Sequence, residues 1–116
     1  MARVMPVTGT VALVDFGATV GSEQSGVRPA VVISSGDYFD VMVSLGIVVP
    51  CTSRNRKWVN HIQLAGPTGA REETFAMTEQ PRTISSKRVI RILGRVDEPT
   101  LNEICTWTRT WLHQAM

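Results

Sequence analysis

Residues 21–34 read G-S-E-Q-S-G-V-R-P-A-V-V-I-S. A run of small and polar residues meets a proline and then four apolar residues. Proline has no N–H, so Pro29 belongs at the first position of a strand or on a sheet edge. It also confines Arg28 to extended backbone conformations. The stretch therefore reads as a loop over residues 18–28 that delivers one arginine to the start of a strand, R-P-A-V-V-I-S.

Working outward, T-G-T-V-A-L-V-D-F-G (residues 8–17) reads as a preceding strand between Gly9 and Gly17. After the second strand, S-S-G-D-Y-F-D-V-M (34–42) reads as a turn or a short helix. S-L-G-I-V-V-P-C-T-S (44–53) is a third strand, and its apolar centre implies burial on both faces. V-N-H-I-Q-L (59–64) alternates and reads as a fourth, followed by the turn G-P-T-G (66–69). E-T-F-A-M-T-E (73–79) is a fifth. S-K-R-V-I-R-I-L-G-R-V (86–96) is a sixth, with a break expected at Gly94.

The last segment changes period. From Leu101, apolar residues recur at Ile104, Cys105, Trp111 and Leu112, with Thr108 on the same face, which is a helical stripe. Thr100 and Glu103 have the spacing of a capping box, with Pro99 just before. Trp107 falls off the stripe, facing either a neighbouring loop or a second subunit. Short strands with turn signals and one terminal helix predict a mainly β fold, a small, twisted, partly open barrel with the helix over one side. Its exposed edges favour oligomerisation.

The chain has 116 residues and 43% hydrophobic residues, which suits a single domain over 1–116. No apolar run approaches the roughly 18–20 residues of a membrane span. The N-terminal residues lack a signal-like apolar region, so a soluble cytoplasmic protein is expected. Cys51 and Cys105 read as buried, reduced thiols, and neither they nor His61 and His113 have metal-ligand spacing. No metal and no cofactor are expected.

Net charge is only +2, but its distribution is uneven. Residues 41–71 hold Arg54, Arg56, Lys57 and Arg71 without an acid. Residues 80–96 hold Arg82, Lys87, Arg88, Arg91 and Arg95, again without one. Most of the basic residues are arginines, whose planar fork matches a phosphate. The blocks suggest a basic face and an anionic partner.

Three segments, taken in order, resemble the MazF/PemK family of toxin endoribonucleases. They are V-A-L-V-D-F-G followed by G-S-E-Q-S-G-V-R-P-A-V-V-I-S, then V-V-P-C-T-S, then T-E-Q-P-R-T-I-S-S-K-R-V. The resemblance runs from about Thr8 to the terminal helix. It implies an SH3-like barrel shared with the CcdB gyrase poisons, and a homodimer. It implies metal-independent, sequence-specific cleavage of single-stranded RNA, leaving a 2′,3′-cyclic phosphate and a 5′-hydroxyl. It also implies a cognate antitoxin that lays an extended, acidic segment into the substrate groove. Arg28 and Thr52 match the family's catalytic pair. Val27 stands where many members carry a basic residue, and Pro81 removes a backbone donor from the later motif.

The residues themselves support this chemistry. Attack by a 2′-hydroxyl on phosphorus needs alignment, loss of a proton and a counter to the growing negative charge. There is no pair of histidines to act as acid and base. His61 is expected to satisfy a local hydrogen bond, and His113 to sit in the last turn of the helix, where it suits the dipole. Arg28 is read first as an electrostatic stabiliser, because arginine holds its protons tightly; proton donation to the leaving oxygen is the alternative. Thr52 offers a hydroxyl to the same phosphate. Ser53 points to the opposite face if the strand continues, and contributes if it bends. Glu23 either accepts the 2′-hydroxyl proton or orients Arg28. Gln80 suits a base contact and Arg82 a phosphate, while Gln24 is counted among the RNA-binding residues with its role open. Arg54, Arg56 and Lys57 extend the phosphate track, and Trp58 either stacks a base or joins the core.

Two other readings compete. One is a CcdB-like poison of a topoisomerase, but such chains end in Trp-Gly-Ile and lack the arginine and threonine, whereas this one ends W-L-H-Q-A-M. The other is a catalytically inert RNA-binding barrel.

Overall fold

The computed structural model describes residues 4–18, 21 and 26–113. β1 (Thr10–Asp15) and β2 (Val27–Val32) pair antiparallel, with Val14 opposite Arg28. A short helix, α1 (Gly36–Val41), follows, its first turn capped by the Ser35 hydroxyl, which accepts from the Tyr38 N–H at 3.3 Å. β3 (Leu45–Thr52) then lies against β2. β4 (His61–Gln63) and β5 (Phe75–Met77) form a hairpin-like pair. β6 (Arg82–Ser85) and β7 (Val89–Arg95) complete the strands, joined by a single 3₁₀ turn over Ser86–Arg88. α2 (Glu98–Thr110) closes the described chain.

The sheet order is β4-β5-β3-β2-β1-β7, and β6 also pairs with β3. β3 is thus shared. Its end, Cys51 and Thr52, pairs with Ala76 and Phe75 of β5, while its beginning, Leu45–Val48, pairs with β6. Between β5 and β6 the chain steps away from β3 through Thr78, Glu79, Gln80 and Pro81. β6 is the strand absent from the sequence reading. It is four residues long, follows a proline directly and has no turn signal of its own, so periodicity could not isolate it.

The two ends of the sheet approach each other. At the end of β7 the N–H of Arg95 donates to the Pro67 carbonyl at 3.0 Å, and just beyond it that of Asp97 donates to the Ala65 carbonyl at 2.9 Å. Those carbonyls lie just past β4. The described sheet is therefore a partly open barrel, as expected, drawn together at one corner. Glycine makes that corner possible: a Cβ on Gly94 would strike the Pro67 carbonyl oxygen.

Two apolar clusters occupy the two faces. Ala12, Val14, Phe16, Ala30, Val32, Val48 and Ile84 fill one, with Phe39 of α1 against it. Val11, Val31, Val49, Cys51, Ile62 and Ala76 fill the other, where α2 lays Ile104, Leu101 and Trp107 over the sheet. Alternation along β2 and β3 assigns each residue to its side. Ile104 is fully buried, and a side chain of that size contributes about 1.5–3 kcal/mol by leaving water.

α2 departs from expectation at both ends. Its N-cap is Asp97, whose carboxylate accepts from the Thr100 N–H at 3.0 Å; Thr100 itself is inside the first turn, with Pro99. The aspartate cap wins because Pro99, which has no N–H to satisfy, is itself well suited to the first turn. Trp107 packs on its own core, and Trp111 and Leu112 are the exposed apolar residues at this end. The Trp107 and Trp111 rings stack at 5.6 Å, and the indole N–H of Trp111 donates to the Thr78 hydroxyl at 3.3 Å. His113 lies beyond the helix rather than in its last turn. Cys51 is buried, whereas Cys105 is half-buried; both are free thiols. No helix among the described residues is long and apolar enough to cross a membrane.

Candidate active site

The pairing of β2 with β3 sets Arg28. Hydrogen bonds in an antiparallel ladder fall on every second residue pair. Here the Ile33 N–H donates to Ile47 at 2.9 Å, so the next such pairs are Val31 with Val49 and Pro29 with Cys51. Pro29 has no N–H to give. The carbonyl of Cys51 is taken instead by Nη1 of Arg28, at 3.1 Å. The proline thus opens a place in the ladder that anchors the arginine beside Thr52, which stands opposite Arg28 when the register is continued.

Thr52 ends β3. Its Oγ1 accepts from the backbone N–H of Arg54 at 3.1 Å. That bond occupies a lone pair and leaves the hydroxyl proton to be donated elsewhere. Arg28, Thr52, Ser53, Glu72 and Thr74 line a cavity of about 290 Å³, floored by Pro29 and Cys51. The strand ends at Thr52 and the chain bends, so Ser53 joins its neighbour in the cavity, the second of its two expected placements. Cys51 contributes its carbonyl and not its sulfur. Burial pushes the thiol up to about 12, the positive charge of Arg28 only partly opposing it, so it is no nucleophile at neutral pH.

Glu72 and Thr74 were not singled out from the sequence. They reach the cavity because β5 pairs with the end of β3, a contact across more than twenty residues that no local pattern announces. The pair of acids just before T-F-A-M, Glu72 and Glu73, was the available signal. The Thr74 hydroxyl donates to the Glu72 carbonyl at 3.0 Å, holding this turn. Glu23 and Gln24 lie outside the described residues.

The other expected contacts spread from this cavity. Arg54, Arg56 and Lys57 occupy the connection from β3 to β4, where Lys57 takes a left-handed backbone (φ 59°) and its N–H is held by Asn55 at 2.9 Å. The guanidinium of Arg56 lies 5.7 Å from the centre of the half-exposed Trp58 ring. Gln80 sits in the step between β5 and β6. Arg82 faces the first core, its guanidinium 5.2 Å from the centre of the Phe16 ring, with a buried Nη1 that meets no hydrogen-bond partner. Neither Gln80 nor Arg82 lines the Arg28 cavity. Among the described residues, no three His, Cys, Asp or Glu side chains gather to hold a metal.

A half-buried arginine and a hydroxyl stand together at one cavity of a partly open antiparallel barrel, with an arginine-rich loop leading away, an arrangement whose chemistry suits a phosphate. Residues 8–112 match the PemK-like, MazF-like toxins of type II toxin–antitoxin systems. The chain belongs to this PemK/MazF family. It is 35% identical to endoribonuclease MazF9 of Mycobacterium tuberculosis over 103 residues, covering 83% of this chain and 86% of the relative. It is 33% identical to the endoribonuclease toxin MazF of Escherichia coli over 85 residues, 73% of each. Its fold matches a crystal structure of MazF from Deinococcus radiodurans with a TM-score of 0.80 at 24% identity, covering 93% of this chain and 96% of that one.

Proposed function

We propose that this toxin endoribonuclease cleaves single-stranded RNA without a metal, by attack of the 2′-hydroxyl on the adjoining phosphorus. The observation that carries the reading is the cavity in which Arg28, held by the Cys51 carbonyl, stands beside the Thr52 hydroxyl. The P–O5′ bond breaks as the O2′–P bond forms, and the departing O5′ takes a proton from solvent water, leaving a 2′,3′-cyclic phosphate and a 5′-hydroxyl. Arg28 meets the charge that builds on the non-bridging oxygens, and Thr52 donates to one of them. Glu72, which lines the cavity, and Glu23, which precedes Arg28 in the sequence, are the acids proposed to accept the 2′-hydroxyl proton. Arg54, Arg56 and Lys57 carry the strand away from the cut through phosphate contacts, and Gln24, Ser53, Gln80 and Arg82 complete the RNA surface.

The same reading gives the protein a cytoplasmic antitoxin whose extended acidic segment competes for this basic groove. A homodimer is supported by a second cavity, about 390 Å³, between α2 and the β3–β6 edge, where Ile33, Ile47 and Leu112 are available for cover. The test is incubation of a long RNA with the protein in excess EDTA, beside Arg28→Ala, with the new ends sequenced. Cleavage by the first and a loss of about 10²–10³ in rate by the second is the expected result. No cleavage of any RNA by the wild-type protein overturns the reading.

A further inference from the structure

The step between β5 and β6 carries a hydrogen-bonded group that the cleavage chemistry does not use. Oε1 of Glu79 accepts from Nδ2 of Asn60 at 2.9 Å and from Nε2 of His61 at 3.0 Å. Oε2 lies 3.1 Å from the same His61 nitrogen and 3.5 Å from Nε2 of Gln80. The His61 side chain is 2% exposed, while that of Glu79 is 29% exposed. Nδ1 of His61 is buried and has no hydrogen-bond partner. A buried N–H there would be costly, so the proton sits on Nε2 and the ring donates to Glu79. The carboxylate is held from beneath and open above.

An aromatic surface adjoins it. The Trp58 ring packs on His61 with centroids 4.7 Å apart, tilted by 55°, and remains 51% exposed. Both lie on the face that carries Thr52. Thr52 pairs with Phe75 and Phe75 with Gln63, while His61 pairs with Met77 one strand repeat further along. Strand spacing and rise put His61 about 12 Å from Thr52.

We propose that Trp58, Asn60, His61 and Glu79 form a nucleobase subsite beside the cleavage site, with Glu79 reading the base; this rests on the RNA-cleaving function above. Single-stranded bases splay out and stack on aromatic rings, and stacking alone tolerates every base. Identity comes from the edge. An ionised carboxylate only accepts hydrogen bonds, so Glu79 selects a base whose Watson–Crick edge offers donors. Guanine presents two adjacent N–H groups and ranks first. Uracil, with one N–H between two carbonyls, ranks last. His61 and Asn60 act as positioning residues, through Glu79.

The experiment is cleavage of a randomised RNA pool by the full chain, with both ends of each product sequenced. Wild type is expected to favour guanine at one position near the cut. Glu79→Gln, which donates as well as accepts, should lower that preference about tenfold at that position alone. His61→Leu should reproduce the loss, and His61→Gln, whose amide replaces the Nε2 donor, should restore it. Trp58→Ala should raise KM while kcat and the order of bases stay as in wild type. An unchanged profile in Glu79→Gln overturns the subsite while leaving the nuclease intact. A change confined to inhibition by the antitoxin also overturns it, and assigns the face to that protein. Failure of wild type to cut any RNA overturns the underlying function as well.

Discussion

Replacing Pro29 by alanine tests whether the gap in the β2–β3 ladder serves the arginine. Alanine restores an N–H facing the Cys51 carbonyl, the acceptor that Arg28 now uses at 3.1 Å. For the fold, two effects oppose. A new ladder bond contributes about 0.5–1.5 kcal/mol, and loss of the proline's restriction on the unfolded chain costs about 0.4–1 kcal/mol. Stability should therefore change by less than about 1 kcal/mol. For the site, the effects do not cancel. A hydrogen bond from a charged group is worth about 1.5–3 kcal/mol. Its loss as an anchor corresponds to about 10- to 150-fold in rate at 1.36 kcal/mol per decade. A carbonyl has two lone pairs and can retain part of the contact, so the lower end, about tenfold in kcat, is expected. The assay is single-turnover cleavage of a fluorescent RNA at saturating enzyme, with urea unfolding on the same samples. Wild-type kcat in Pro29→Ala, with cleavage abolished in Arg28→Ala, would refute the anchoring argument.

Other outcomes are as specific. Ile104→Ala removes the fully buried contact of α2 with the sheet and should cost about 2–5 kcal/mol in urea unfolding. A thiol reagent at pH 8 should label Cys105 slowly in the native protein and reach Cys51 only after unfolding, because burial holds the Cys51 thiol near 12. The unfolded thiol ionises near 9.0, so stability from this group is complete below that value and declines as pH rises toward 12. Hydrogen bonds from Thr100 hold the Asp97 carboxyl below its ordinary 3.8. Its stabilisation is complete above 3.8 and is lost as pH falls through the lower folded value, so Asp97→Ala should lower Tm at neutral pH and flatten the acid side of the Tm–pH curve.

The sequence carried different parts of this molecule unequally. Strands with strong apolar runs, such as V-A-L-V and I-V-V-P-C, were legible because burial dictates their composition. The site was legible at Arg28, since a proline restricts the residue before it and the surrounding motif is dense. Arg28 and Thr52 meet through strand register, which no local pattern showed; their pairing in the sequence reading came from the family resemblance. β6 was not legible, because its pairing depends on β3, roughly forty residues earlier, rather than on its own four residues. Glu72 and Thr74 were missed for the same reason. The His61–Glu79 pair shows the opposite case: the local hydrogen bond expected of His61 exists, but its partner was read as a strand end and a motif residue with no role of its own.

The division of β3 between β5 and β6 bears on when the protein becomes dangerous to the cell that makes it. Arg28 and Thr52 emerge from the ribosome before β5 and β6 do. The rung that holds Thr52 is completed only by Phe75, and the rest of β3 is covered only by Arg82–Ser85. A nascent or prematurely terminated chain that carries both residues still lacks the strands that fix them. On the cleavage mechanism proposed above, harm begins only once β5 and β6 have been made, and a nonsense mutation between the codons for Thr52 and Phe75 is enough to disarm the gene.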